Sequence, residues 1–233
     1  MNFSKTTNYA TGMIAEELIN QMIPPLKLGD SVQKALQWME ELRVNQLPVI
    51  DHHEYKGLVS EDIIFQHNDQ NAVIGDLDLL CVDVYVHGYQ HFYEILRFSN
   101  LYGVQVIAVL GDQEEFLGVV SVNDVVNAFA ASVSMQEPGG ILVFLLDKRD
   151  YSLTEISRLV ESNNAKILST YITDDKQDTN KLRVTIKINT IDLNRIVATF
   201  ERYSYRIVGR FQSSEHETVN KDRLDMLFKY LNI

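Results

Sequence analysis

The sequence predicts an α+β chain: two tandem copies of an α/β unit, then a smaller βαββαβ domain and a C-terminal helix. Three observations predict it. Gly57-Leu58-Val59-Ser60 and Gly118-Val119-Val120-Ser121 each close the same succession of apolar segments, so the first half contains an internal repeat. Past residue 140 the apolar periodicity runs in the order β, α, β, β, α, β, the split βαβ arrangement. The composition, 45% hydrophobic with four prolines in 233 residues, is that of a well-cored globular chain. The divisions are 1–71 (an N-terminal helix and copy one), 72–136 (copy two) and 137–233 (the third domain with its terminal helix).

Residues 3–21 read as a helix interrupted at Gly12 and closed by Pro24-Pro25. Ser31 caps a helix whose apolar face is Val32, Ala35, Leu36, Met39 and Leu42, with Trp38 off that face as a packed surface aromatic. Leu47 to Asp51 and Tyr55 to Ser60 form a hairpin around Asp51-His52-His53-Glu54. A short helix follows from Glu61 to about His67.

In copy two, Val82, Val84 and Val86 alternate as a strand does. A helix spans about Gln90 to Tyr102, and Val104 to Leu110 and Phe116 to Val120 are strands. The aromatics Tyr85, Tyr89, Phe92, Tyr93 and Phe98 read as core. The repeat aligns at a spacing of fifty-nine residues, pairing Leu26 with Tyr85, Leu47 with Val106 and Val49 with Ala108. A two-residue difference in the hairpin then pairs Ser60 with Ser121.

In the third domain, Ile141 to Leu146, Lys166 to Thr173, Leu182 to Ile188 and Tyr205 to Phe211 are strands. The helix of Ser152 to Glu161 turns Leu153, Ile156, Leu159 and Val160 inward, and a second helix is capped by Asp192. Val219 to Ile233, with Leu224, Leu227, Phe228 and Leu231, reads as an amphipathic helix.

The chemistry concentrates at Gly118 to Asp124. A strand running into the N-cap Ser121 leaves helix amides and a partial positive charge at one point, which suits a phosphate. Asp124, one turn in, can accept two hydroxyl hydrogens from a ribose. The alternative is that Ser121 caps, Asp124 answers the helix dipole and nothing binds.

These segments resemble a tandem pair of cystathionine-β-synthase (CBS) domains over roughly residues 13–134. The carriers are Leu47-Pro48-Val49-Ile50 with Gly57 to Ser60, and Val106 to Val109 with Gly118 to Asp124. The resemblance implies an adenine nucleotide or adenosyl ligand such as AMP, ADP, ATP or S-adenosylmethionine. It would be held at Ser121, Asn123 and Asp124, with Val106, Ile107 and Val84 lining the base. In copy one Ser60 matches, but Ile63 stands where copy two has Asp124.

Leu153-Thr154-Glu155-Ile156 and Asn164-Ala165-Lys166-Ile167 resemble an ACT domain over about 140–212, with Asp150-Tyr151 where that family often has Pro-Gly. A CBS pair followed by an ACT-like domain resembles the acetoin-utilisation protein B family. That resemblance implies a regulator that forms a homodimer, with no catalysis.

Net charge of −11 argues against nucleic acid and anionic membranes as partners, since phosphate contacts need clustered Lys and Arg. No apolar run reaches a membrane span, and no export signal is visible, so the cytoplasm is the expected location. The single cysteine, Cys81, excludes an internal disulfide. His52-His53, flanked by Asp51 and Glu54, resemble a metal site but read as solvated on a hairpin tip, and His87 with His91 have no evident third metal ligand. No Gly-x-Ser-x-Gly, P-loop or Gly-x-Gly-x-x-Gly motif is present. The expectation is a ligand-sensing regulatory module without resident cofactor; the alternative is a scaffold with no small ligand.

Overall fold

The computed structural model describes residues 12–212. The chain divides into two compact units, one ending at Ala130 and one starting at Ala131. The expected terminal helix of 219–233 and the start of the helix expected over 3–21 lie outside the described residues.

Unit 1 holds both copies. In copy one, β1 (Leu26–Lys27), α1 (Val32–Leu42), β2 (Gln46–Asp51), β3 (Glu54–Ser60) and α2 (Glu61–His67) follow in order. β1 pairs parallel to β2, and β2 pairs antiparallel to β3. Ser31 caps α1 by accepting from the Lys34 amide at 3.2 Å, and Val32, Ala35 and Met39 fall on its buried face. Copy two repeats this with β4 (Tyr85–His87), α3 (Phe92–Tyr102), β5 (Val106–Leu110), β6 (Phe116–Ser121) and α4 (Val122–Ala130). Its sheet has the order β4-β5-β6 with the same parallel and antiparallel pairings.

The ladders correct the repeat register. Leu26 faces Val49 across the parallel pair, and Val86 faces Val109. Val49 in turn faces Gly57, and Val109 faces Gly118. Copies one and two are therefore sixty residues apart through β1, α1 and β2, and the hairpin differs by one residue. The fifty-nine-residue spacing arises because every residue of β5 is buried, so this strand has no alternation to fix its register.

Residues 12–21 are not a continuous helix; only Ala15–Leu18 makes one 3-10 turn. The reason is that their amides are engaged by copy two. Ala15 N–H donates to Gln90 O, Glu16 N–H to Gly88 O and Asn20 N–H to Val119 O. Copy two reciprocates, with Leu58 and Leu80 exchanging backbone hydrogen bonds at 2.7 and 2.8 Å. Each copy's leading segment thus pairs with the other copy's third strand. The strand expected over 82–86 shortens to Tyr85–His87 because Leu80 is held by Leu58 and Cys81 turns at φ 55°. The cores follow the crossing: Val106 and Val119 belong to the core of copy one, and Ala15 and Leu58 to that of copy two. Of the aromatics expected inside, Phe92 is buried, whereas Tyr89 and Tyr93 are 66% and 65% exposed.

Unit 2 opens with the short helix α5 (Val133–Gln136). Then come β7 (Gly140–Asp147), α6 (Leu153–Glu161), β8 (Ile167–Asp174), β9 (Lys181–Ile188), α7 (Asn194–Arg202) and β10 (Arg206–Phe211). The sheet is antiparallel with order β10-β7-β9-β8. α6 carries Ile156, Leu159 and Val160, and α7 carries Ile196 and Phe200, into one core with Phe144, Val184 and Ile186. Leu153, expected inward, is 43% exposed because it is the first residue of α6, beside the cap Ser152.

The loop between β8 and β9 is held by Asp175, which is 5% exposed. Its carboxylate accepts from Arg183 Nε at 2.7 Å and from the amides of Gln177 and Asp178 at 3.0 and 3.1 Å. The Arg183 hydrogen bond, and then that of Gln177, hold the Asp175 carboxyl below its ordinary value of 3.8. A depressed folded-state value means that the stabilisation is complete above the ordinary value and is lost as pH falls through the depressed one. Asp175→Asn is therefore expected to lower stability at pH 7, with the gap to wild type closing as pH falls below 3.8. Urea titrations at both ends of that range check this; a gap independent of pH contradicts it.

Candidate functional site

The N-terminus of α4 meets the leading segment of copy one at an open cleft of about 650 Å³. Ser121, Asn123, Asp124 and Val106 line it, together with Asn20, Arg43 and Gln105. Four of the seven residues expected at the ligand are thereby brought together. Ile107 is 1% exposed and belongs to the core of copy two, and Val84 is buried outside the cleft. Ser60 caps α2, accepting from the Ile63 amide at 3.3 Å.

Asp124 is already engaged. Ser121 Oγ donates to its Oδ2 at 2.6 Å and the Ser121 amide to the same oxygen at 2.9 Å, while the Asp124 amide returns to Ser121 Oγ at 3.1 Å. This is a reciprocal capping box with aspartate in the acidic position. Asn20 Nδ2 lies 3.1 Å from both carboxylate oxygens. The Val122 amide donates to Gln105 O at 2.9 Å. Two first-turn amides of α4, those of Val122 and Asp124, are thus taken up, which leaves the helix start a weaker anion site than the sequence suggests.

Arg43 supplies the cationic group that sequence reasoning missed. It is the C-cap of α1, exposed, in the left-handed region at φ 56° and ψ 43°. None of the side-chain ion pairs found among the described residues includes it. Copy two has Gly103 at the matching cap, at φ 67°. Left-handed backbone costs a non-glycine residue roughly 1–2 kcal/mol. The signal in the sequence was the repeat itself: an arginine where the other copy has glycine.

Aligned by their hydrogen bonds, the copies differ at all three polar positions. Asn20, Arg43 and Asp124 around this cleft correspond to Leu80, Gly103 and Ile63. Asn20 and Leu80 match because each pairs with the other copy's third strand, at Val119 and Leu58.

His91 and His87 have local partners. His91 caps α3, its Nδ1 accepting from the Tyr93 amide at 3.3 Å. His87 stacks on Tyr89 with ring centroids 5.4 Å apart and lies 3.9 Å from Glu114. The charge of Glu114 also pushes the neighbouring Tyr85 phenol above its ordinary value. Among the described residues no group of three or more His, Cys, Asp or Glu side chains could hold a metal ion. Among them, too, no helix is long and apolar enough to cross a membrane.

No family model matches the chain. Among solved structures it is similar to a CBS domain pair/ACT domain protein from Thermotoga maritima, at 18% identity over 52% of this chain and 99% of that one, with a TM-score of 0.47. It is also similar to the CBS-pair protein CBSX2 from Arabidopsis thaliana, at 22% identity over 51% and 95% of the two chains, TM-score 0.45. CBSX2 in complex with AMP matches at 21% identity over 51% and 96%, TM-score 0.43.

Proposed function

We propose that unit 1 is a ligand-sensing regulatory module of the CBS-pair type. It takes an adenine nucleotide or related adenosyl ligand in the cleft between Asn20, Arg43 and Asp124. The observation that carries this reading is the one-sidedness of the repeat: the copies agree in architecture, and Asn20, Arg43 and Asp124 at the cleft become Leu80, Gly103 and Ile63 at the matching positions of the repeat. Arg43 is the partner for a phosphate, as a guanidinium matches phosphate oxygens in pairs. Asp124 is the partner for ribose hydroxyls, and Val106 offers an apolar wall to the base. Unit 2 we read as an ACT-like domain with ferredoxin-like topology, serving dimerisation or readout. Among the described residues its edge strands are β8 and β10, where a second copy would pair. The reading includes no catalytic step, no nucleic acid and no membrane, and it places the protein in the cytoplasm.

The second reading is a scaffold without a small ligand. The capping box at Asp124 favours it, because that arrangement is complete without a ligand. Calorimetric titration with AMP, ADP, ATP and S-adenosylmethionine separates the two. Micromolar binding by one of them, weakened at least about tenfold in Arg43→Ala with the fold retained, is the expected result. A folded protein that binds none of the four leaves the scaffold.

A further inference from the structure

Asp124 can accept about four hydrogen bonds, and four contacts already surround it. Two come from Ser121, three residues away on the same turn, and hold the start of α4 together. The other two come from one nitrogen of Asn20, 104 residues away on the leading segment. A ribose diol would bring two hydroxyl donors to the same carboxylate. Three of the four existing contacts fall on Oδ2 and one on Oδ1, so a single place on Oδ1 is open, and the diol seats its second hydroxyl only if Asn20 withdraws.

Asn20 is also held in place from its other end. Its Oδ1 accepts from the Met22 amide at 2.9 Å in an Asx turn, and its own amide donates to Val119 O at 2.8 Å. The amide is thus aimed at Asp124 by a preformed turn. The matching position in copy two is Leu80, which has no amide to offer, opposite Ile63, which has no carboxylate.

We infer that Asn20 is the specificity-determining residue of this cleft: it competes with the ribose for Asp124. The consequence is a site that selects ligands through the anion at Arg43 and the base, and that discriminates weakly between ribose and 2′-deoxyribose. Removing the Asn20 amide turns Asp124 into a diol receptor. The inference rests on the adenine-nucleotide reading of the cleft, and its test separates the two.

AMP and 2′-deoxy-AMP are titrated calorimetrically into wild type, Asn20→Ala and Asn20→Ser, each checked for an unchanged thermal transition. Serine keeps an acceptor for the Met22 amide but is too short to reach Asp124, which guards against a turn that alanine leaves unmade. Wild type is expected to bind the two nucleotides within about threefold of each other, because occupancy of Asp124 by Asn20 reduces the ribose-competent population. Both variants are expected to bind AMP about five- to tenfold tighter while 2′-deoxy-AMP changes little. AMP affinity unchanged or lowered in both variants, with wild type still binding, overturns the competition and leaves the nucleotide site standing. Absence of binding of either nucleotide to all three proteins overturns the site reading and the inference with it.

Discussion

Arg43→Gly is expected to make the protein more stable and to abolish tight nucleotide binding in the same molecule. The two effects have separate causes. Arg43 ends α1 at φ 56°, where glycine has no Cβ to strain, and the other copy uses Gly103 at that cap. Relief of that strain is expected to raise stability by about 1 kcal/mol. On the proposed function, the lost guanidinium would remove a charge-assisted contact to phosphate of about 1.5–3 kcal/mol, or on the order of 10- to 100-fold in affinity. Thermal melting and calorimetry on one preparation read both. A variant that is destabilised, or that binds as wild type does, contradicts the assignment. A residue kept only for the fold would not lose binding while gaining stability.

Gly57→Ala is expected to be the most damaging small substitution in unit 1. A Cβ at Gly57 would lie 2.7 Å from the carbonyl oxygen of Leu80 and 3.0 Å from Cβ of Leu79. That oxygen is the acceptor for the Leu58 amide, so it cannot retreat without breaking the bridge between the copies. The backbone there is also at φ +135°. Strain and the broken bridge together are expected to cost about 2–4 kcal/mol. The counterpart Gly118→Ala meets Cγ2 of Ile19 at 2.5 Å, a side chain that can shift, and is expected to cost about half as much. Urea titration of both variants checks the order; equal losses would mean that the carbonyl yields as easily as the side chain.

The sequence made most of the architecture legible because its signals were local. Ser31, Ser60 and Ser152 each cap the helix that follows, and α2 occupies Glu61–His67 as its apolar spacing suggests. The βαββαβ order after residue 140 was readable because β7 is a short continuous apolar run and the apolar residues of β9 alternate as Leu182, Val184, Ile186 and Ile188. What was hidden depended on distant pairing. Residues 12–21 look helical, but their amides are claimed by Gln90, Gly88 and Val119. The repeat slipped by one residue where β5 is apolar on both faces. At the cleft, Ser121, Asn123, Asp124 and Val106 lie within one short strand pair and helix start. Asn20 comes from 104 residues upstream and has no local pattern that announces it. Ile107, expected to line the base, is core, since neighbouring residues on a strand point to opposite faces.

A ribosome delivers Ile19 and Asn20 long before the strand they pair with. Asp124, Asn20's side-chain partner, is 104 residues further on. At about 5–20 residues per second, the first half of unit 1 waits on the order of ten seconds for its seal. Until the end of that interval the core of copy one lacks Val106 and Val119. Newborn copy one is therefore a sticky, unfinished object rather than an autonomous domain. The hazardous moment in this protein's life is its own translation, when chaperones would find the surfaces that the finished fold conceals.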